Sequence, residues 1–121
     1  MKITYVPKEE ITQTEGREVI IPHLPLRLDK ATGSDVPTVD LNKAEQYGEL
    51  ISISKGSLWP GDHEELESAL DAIPEDSLVM CIGDIIPLHL TISHLLWKYG
   101  HCTLMRFERQ YKDYRFQRIE A

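Results

Sequence analysis

The stretch Ile82-Gly83-Asp84-Ile85-Ile86-Pro87 is the first place where chemistry could be carried. It reads as a strand, a turn and a helix start. In α/β sheets ligands bind beyond the carboxyl ends of parallel strands, and a glycine there lets the backbone come close. A helix N-terminus at that point favours an anion. Asp84 stands where a phosphate would sit, however, and repels it. One glycine is also neither a dinucleotide fingerprint nor a phosphate loop. The plain reading is that Gly83 makes the turn and Asp84 caps the helix. The chemical reading is a ligand-binding sheet edge made of Gly83 and Asp84, with Tyr47 and Arg106 nearby.

Other residue types suggest other chemistries. Asp62, His63, Asp84, His89, His94 and His101 are metal-ligand types. Gly-Asp followed by His is similar to a fragment of metallophosphatase motifs, but the further Asp/His motifs of such enzymes are absent. His89 and His94 are five apart, about 140° around a helix, and do not converge as an i, i+4 pair would. His94 falls in line with Thr91 and Lys98, as on a polar face. No metal and no cofactor is expected. Cys81 lies in an apolar run, as a buried, inert thiol does. Cys102 follows His101, but neighbours on a strand point to opposite faces. With no Gly-x-Ser-x-Gly elbow, the chain does not read as an enzyme.

Two charged stretches point to partners. Arg106, Arg109, Lys112, Arg115 and Arg118 interleave with Phe107, Tyr111, Tyr114 and Phe116. Such a strip can stack on and neutralise single-stranded nucleic acid. It is equally an edge hairpin with cationic gatekeepers, or a receiver for an acidic helix of a neighbouring subunit. That acidic helix is at hand: residues 62–76 hold seven acids and no Lys or Arg. A carboxylate-dense helix can mimic a nucleic-acid backbone, and more commonly is a solvated face.

These residues need elements to position them. Residues 1–48 hold short β-like pieces (3–6 and 18–21) broken by Pro7, Pro22, Pro25 and Pro37, and are expected to be irregular. Residues 29–35 read as an exposed turn. From residue 49 the pattern is regular: a strand at 49–54, a loop with Trp59, a helix from Asp62 with Glu65 as capping-box partner, and a continuous apolar strand at 77–82. A second helix follows to Tyr99, with Gly100 as its C-terminal stop. Two strands, 101–107 and 111–119, complete the order β-α-β-α-β-β. Helical connections imply parallel pairing, and the last pair is an antiparallel hairpin. The expected class is a small α/β domain with a mixed sheet, spanning 1–121.

The second helix asks for more than one neighbour. Leu88, Ile92, Leu95 and Tyr99 make a core stripe, while Leu90, Leu96 and Trp97 point elsewhere. A helix apolar on several faces is buried on several faces. Either the N-terminal segment covers the second face or another subunit does.

Composition narrows the class. A chain of 121 residues with 41% hydrophobic and 27% charged residues folds as an ordinary globular domain. Its net charge of -7 argues against nucleic-acid binding by bulk electrostatics. The charge is uneven: residues 1–100 carry 8 basic and 17 acidic side chains, a net of -9, and residues 101–121 carry 5 and 3, a net of +2. No run is apolar enough to span a bilayer, and no leader pattern opens the chain, so a cytoplasmic protein is expected.

From Tyr47-Gly48 onward the sequence resembles small phage- and prophage-encoded proteins of unknown function. Tyr47-Gly48, the run Leu78 to Asp84 and the end Arg106-Phe107-Glu108-Arg109-Gln110-Tyr111 to Ile119 carry the likeness. It departs at two points: Ile85 replaces a proline after Asp84, and Phe107-Glu108-Arg109 replaces a Trp-Asp-Arg turn. The resemblance implies a viral origin and a compact α/β fold, and no activity. The expectation is a non-enzymatic accessory protein working through protein contacts, by self-association or by binding a host or viral protein through Trp59, Leu90, Leu96 and Trp97. The alternative is a small-ligand or nucleotide module at the Gly83-Asp84 turn.

Overall fold

The computed structural model describes residues 1–13, 15–56 and 62–121. The first 48 residues, expected to be irregular, supply two strands of the main sheet. β1 (Lys2–Val6) leads into the short helix α1 (Lys8–Thr12), and β2 (Glu18–Ile21) follows. Val19, Ile20 and Ile21 are all 1% exposed or less. Three consecutive buried side chains mean that both faces of β2 are covered, which is what a continuous apolar run encodes in a central parallel strand. Next come a two-stranded ribbon, β3 (Leu26–Leu28) with β4 (Asp35–Pro37), and a 3-10 turn at Ala44–Tyr47. The loop closing the ribbon is an Asx turn: the Asp29 carboxylate accepts from the Ala31 amide at 3.0 Å and the Thr32 hydroxyl at 3.2 Å.

From residue 49 the elements are β5 (Glu49–Ser52), α2 (Asp62–Leu70), β6 (Leu78–Met80), α3 (Ile85–Tyr99), β7 (His101–Glu108) and β8 (Asp113–Glu120). Among the described residues the main sheet has six strands in the order β1-β8-β7-β6-β2-β5. The neighbours β5, β2, β6 and β7 are all parallel, and β8 runs antiparallel to both β7 and β1. The protein is therefore an α/β fold with a mixed sheet. β2 stands between β5 and β6, so the two strands that α2 connects are not neighbours.

Both faces of the sheet are covered, by different parts of the chain. On one face Ile20, Val79 and Cys102 pack under α2 and α3 through Leu66, Leu70 and Leu95. On the other, Val19, Ile21, Leu78, Met80, Met105 and Phe116 pack against Ile11 of α1 and against Ala44 and Tyr47 of the 3-10 turn. The N-terminal segment thus lies across the sheet from α3 and leaves the outer face of that helix open.

Helix α3 is bounded as its sequence dictates. The Asp84 carboxylate accepts from the Ile86 amide at 2.8 Å, and Gly100 closes the helix at φ 79°, its amide bonded to the Leu96 carbonyl. Its fully buried line is Pro87, Thr91 and Leu95, and the other expected stripe residues, Leu88, Ile92 and Tyr99, pack half-buried against the same core. Thr91, expected on a polar face, is fully buried. Its hydroxyl donates to the Pro87 carbonyl at 2.8 Å. That bond satisfies the polar atom within the helix, so the residue packs as a small hydrophobe. α2 ends at Leu70, and the Ala72 and Ile73 amides bond back to Ala69 and Leu70 in tight turns before Pro74.

Candidate functional site

The carboxyl ends of the four parallel strands are the natural place for a site. Leaving β2 the chain moves to β5 on one side; leaving β6 it moves to β7 on the other. The gap between β2 and β6 is therefore the switch point of the sheet, where α/β proteins open a crevice. Here His23 fills it. The ring is 8% exposed. Its Nδ1 accepts from the Asp84 amide at 2.8 Å, which leaves Nε2–H to donate to the Gly56 carbonyl. One side chain ties the turn after β6 to the loop after β5. Gly83 is obligatory beside it: φ is +82°, and a Cβ there would lie 2.3 Å from the His23 carbonyl oxygen and 2.4 Å from Nδ1. Gly83 thus makes the turn and Asp84 caps the helix, the plain reading of the sequence, and both are engaged in holding the fold. His23 was not among the sequence candidates. Its signal was its place, two residues past a fully buried strand.

Tyr47 and Arg106 do not join that turn. Tyr47 is 3% exposed and lies edge-on to Phe116 at 5.0 Å. Its hydroxyl donates to Asp113 Oδ1 at 2.9 Å, while Lys8 Nζ reaches Asp113 Oδ2 at 2.6 Å. Burial disfavours the ionised form of Asp113, but bonds from Lys8, the Tyr114 amide and Tyr47 outweigh it and hold the carboxyl below its usual range. Arg106 projects from β7 into solvent and pairs with Glu108 at 2.9 Å.

A cavity does open one strand further along. It has a volume of about 410 Å³ and lies at the ends of β6 and β7, lined by Ile82, Phe107 and Tyr114, by Arg109 and Lys112 of the β7–β8 turn, and by Val39, Asp40 and Lys43. Lys43 Nζ donates to the Lys112 carbonyl and holds the 39–43 loop against the turn. Lys112 adopts φ 52°, the only positive φ of a non-glycine residue among those described.

The helix-bearing side of the sheet offers a different kind of surface. Trp97 is 80% exposed, and Leu90 and Leu96 are half-buried. Trp97 and Leu90 border an open hollow whose rim carries Glu67 and Asp71. Trp59 lies outside the described residues. At the far end of the same side, α3 stops short of β8 and β1. Cys102 and Leu104 of β7 pack toward the helices. Their register partners Ile119 and Gln117, and in turn Ile3 and Tyr5, share that face. Ile3 is 62% and Tyr5 54% exposed. Arg115 lies over the rings of Tyr111 at 4.1 Å and Tyr5 at 5.5 Å. The result is an apolar ledge with basic side chains.

The basic residues of the hairpin are thus divided. Arg106 and Arg115 are register partners on the ledge side, Arg109 and Lys112 lie in the turn, and Arg118 faces the other way, paired with Glu120 at 3.2 Å. They form no single strip. Among the described residues no cluster of three or more His, Cys, Asp or Glu is arranged to hold a metal ion. His94 and His101 pair with Asp71 and Glu75 at 3.0 and 3.2 Å. Burial pushes the Cys102 thiol up to about 12, and the half-buried Cys81 is raised for the same reason. No helix among the described residues is long and apolar enough to cross a membrane. Comparison with protein-family models, with curated proteins and with solved structures gives no match.

Proposed function

We propose that the protein works through protein–protein contact, and that its partner is a second copy of the same chain bound head to tail. The observation that carries this reading is the 80% exposed Trp97, standing on a helix face that the N-terminal segment leaves open. Exposed aromatic anchors beside a hollow are typical of interface centres. The identity of the partner follows from charge. The Trp97 hollow is rimmed by Glu67 and Asp71. The ledge of Ile3, Tyr5 and Ile119 carries Arg115, beside Arg106 in its pair with Glu108. Each surface is apolar at its centre, and their charges are opposite. Two different patches that complement each other give a heterologous contact, which closes into a ring or continues as a filament. The viral origin implied by the resemblance over residues 47–119 fits such an accessory, assembly-type role.

Mixing experiments test this directly. Light scattering should show a species larger than a monomer. Trp97→Glu and Ile3→Glu should each give a folded monomer, because each removes one of the two patches. Mixing the two variants should then restore a 1:1 dimer, since one keeps the hollow intact and the other keeps the ledge. A wild-type protein that stays monomeric at high concentration would sink the proposal. So would a mixture that stays monomeric.

A further inference from the structure

We infer that the cavity at the ends of β6 and β7 binds a small organic anion that carries a flat ring. The cavity lies on the opposite side of the sheet from the Trp97 face, so this site is independent of the self-association just proposed. Its position is the one α/β folds use for ligands, beyond the carboxyl ends of parallel strands. Since His23 blocks the switch point itself, the opening next to it is the space the fold leaves.

The lining sets the ligand class. Phe107 and Tyr114 are register partners whose rings meet edge to face at 5.3 Å. Tyr114 is buried at 6% exposed, while Phe107 is 43% exposed. A floor and an open wall of aromatic rings accept a flat ring by stacking. Around them stand Lys43, Arg109 and Lys112 against the single carboxylate of Asp40. That local excess of two positive charges occurs in a chain whose net charge is -7. Among the described residues Arg109 makes no ion pair, so its guanidinium is available for bidentate pairing with a carboxylate or phosphate. Burial, and after it the charge of Asp40, raises the Tyr114 hydroxyl, and Asp40 accepts a donor group at the other end. A volume of about 410 Å³ is at the small end of ligand sites. It suits one ring system and one anionic group, not a dinucleotide.

The backbone supplies a second, independent observation. Lys112 is held at φ 52°, a conformation that glycine or asparagine adopts at less cost. Local strain of this kind clusters at ligand clamps. Here it presents a lysine at the mouth of the cavity, and the Lys43 bond to its carbonyl fixes the turn in place.

Calorimetric titration of the full chain tests the site with four probes: a nucleoside 5′-monophosphate, benzoate, inorganic phosphate and an uncharged nucleoside. At least one of the two ring-bearing anions should bind about tenfold more tightly than both single-feature probes. The comparison between the first two tells phosphate from carboxylate. Arg109→Gln should weaken that binding by about tenfold and leave thermal unfolding unchanged, because the residue is exposed in a turn. Lys112→Gly should weaken binding as well, yet raise the unfolding midpoint by relieving the backbone. No binding by either ring-bearing anion at millimolar concentration would overturn the inference. Inorganic phosphate binding as tightly as the ring-bearing anions would do the same, as would binding indifferent to Arg109→Gln.

Discussion

Gly83 and Gly100 both have positive φ, yet they carry different constraints. At Gly100 nothing lies within 4 Å of an added Cβ, whereas at Gly83 the His23 backbone oxygen is 2.3 Å away. Gly100→Ala should therefore cost only the left-handed backbone, about 1 kcal/mol. Gly83→Ala adds a clash that no side-chain rotation relieves, and should cost about 2–4 kcal/mol. Urea unfolding of the two variants checks this; equal costs would mean that the His23 contact yields. The glycine was legible in the sequence as a turn residue. Its reason was not, because the atom that crowds it belongs to a histidine sixty residues earlier. The alternative reading of Gly83 and Asp84 as ligand groups has the same cause. A strand-turn-helix pattern marks the edge where ligands bind, but cannot say whether another side chain already occupies it.

Elements meet at Asp113, and its chemistry gives a pH signature. The carboxylate joins α1 through Lys8, the 3-10 turn through Tyr47 and β8 through the Tyr114 amide. Its folded-state value lies below the ordinary 3.8. A depressed carboxyl contributes stability that is complete above its unfolded value and is lost as pH falls through the folded one. Asp113→Asn should then destabilise by about 1–2 kcal/mol near neutrality, and the gap to wild type should close below pH 4. A gap that stays constant across that range would show that the ionised form is irrelevant. The boundaries of α3 could be read from Asp84, Pro87 and Gly100, since caps are local. β2 could not be placed, although Val19-Ile20-Ile21 has the same continuous apolar character that marked β6. Its three apolar residues end at Pro22, and both neighbours come later in the chain, so nothing local assigns its partners. Thr91 was misread because a hydroxyl bonded to its own helix is polar in the sequence and apolar in the packing.

The whole molecule is polarised in charge and in cover. The acidic rim around Trp97 and the basic ledge at β8 and β1 face the same side of the sheet, while the other side carries the N-terminal segment and the cavity at the ends of β6 and β7. If opposite charge selects the partner surface, the assembly should weaken as ionic strength rises, since exposed pairs are screened within about 10 Å at 0.1 M salt. Sedimentation at low and high salt should show the oligomer receding toward monomer on the order of tenfold in affinity. An assembly that strengthens with salt would instead be held by apolar contact alone. The unevenness of charge was visible in the sequence, with -9 before residue 101 and +2 after it. Which side each charge faces was not, because it depends on strand register.

One pairing has a bearing on how the protein is made. Lys2 lies opposite Glu120 and Val6 opposite Phe116, so β1 is closed by a strand made more than a hundred residues later. At about 5–20 residues per second, a ribosome takes several seconds to deliver that partner. Throughout that interval β1, with Ile3 and Tyr5 outward, leaves the exit tunnel with nothing of its own chain to pair with. The parallel centre of the sheet also waits, since β2 needs β5 and β6. The edge thus forms only after β8 has followed. In a crowded cell, the interval before β8 arrives is when this segment is most open to chaperones and to nascent copies of itself.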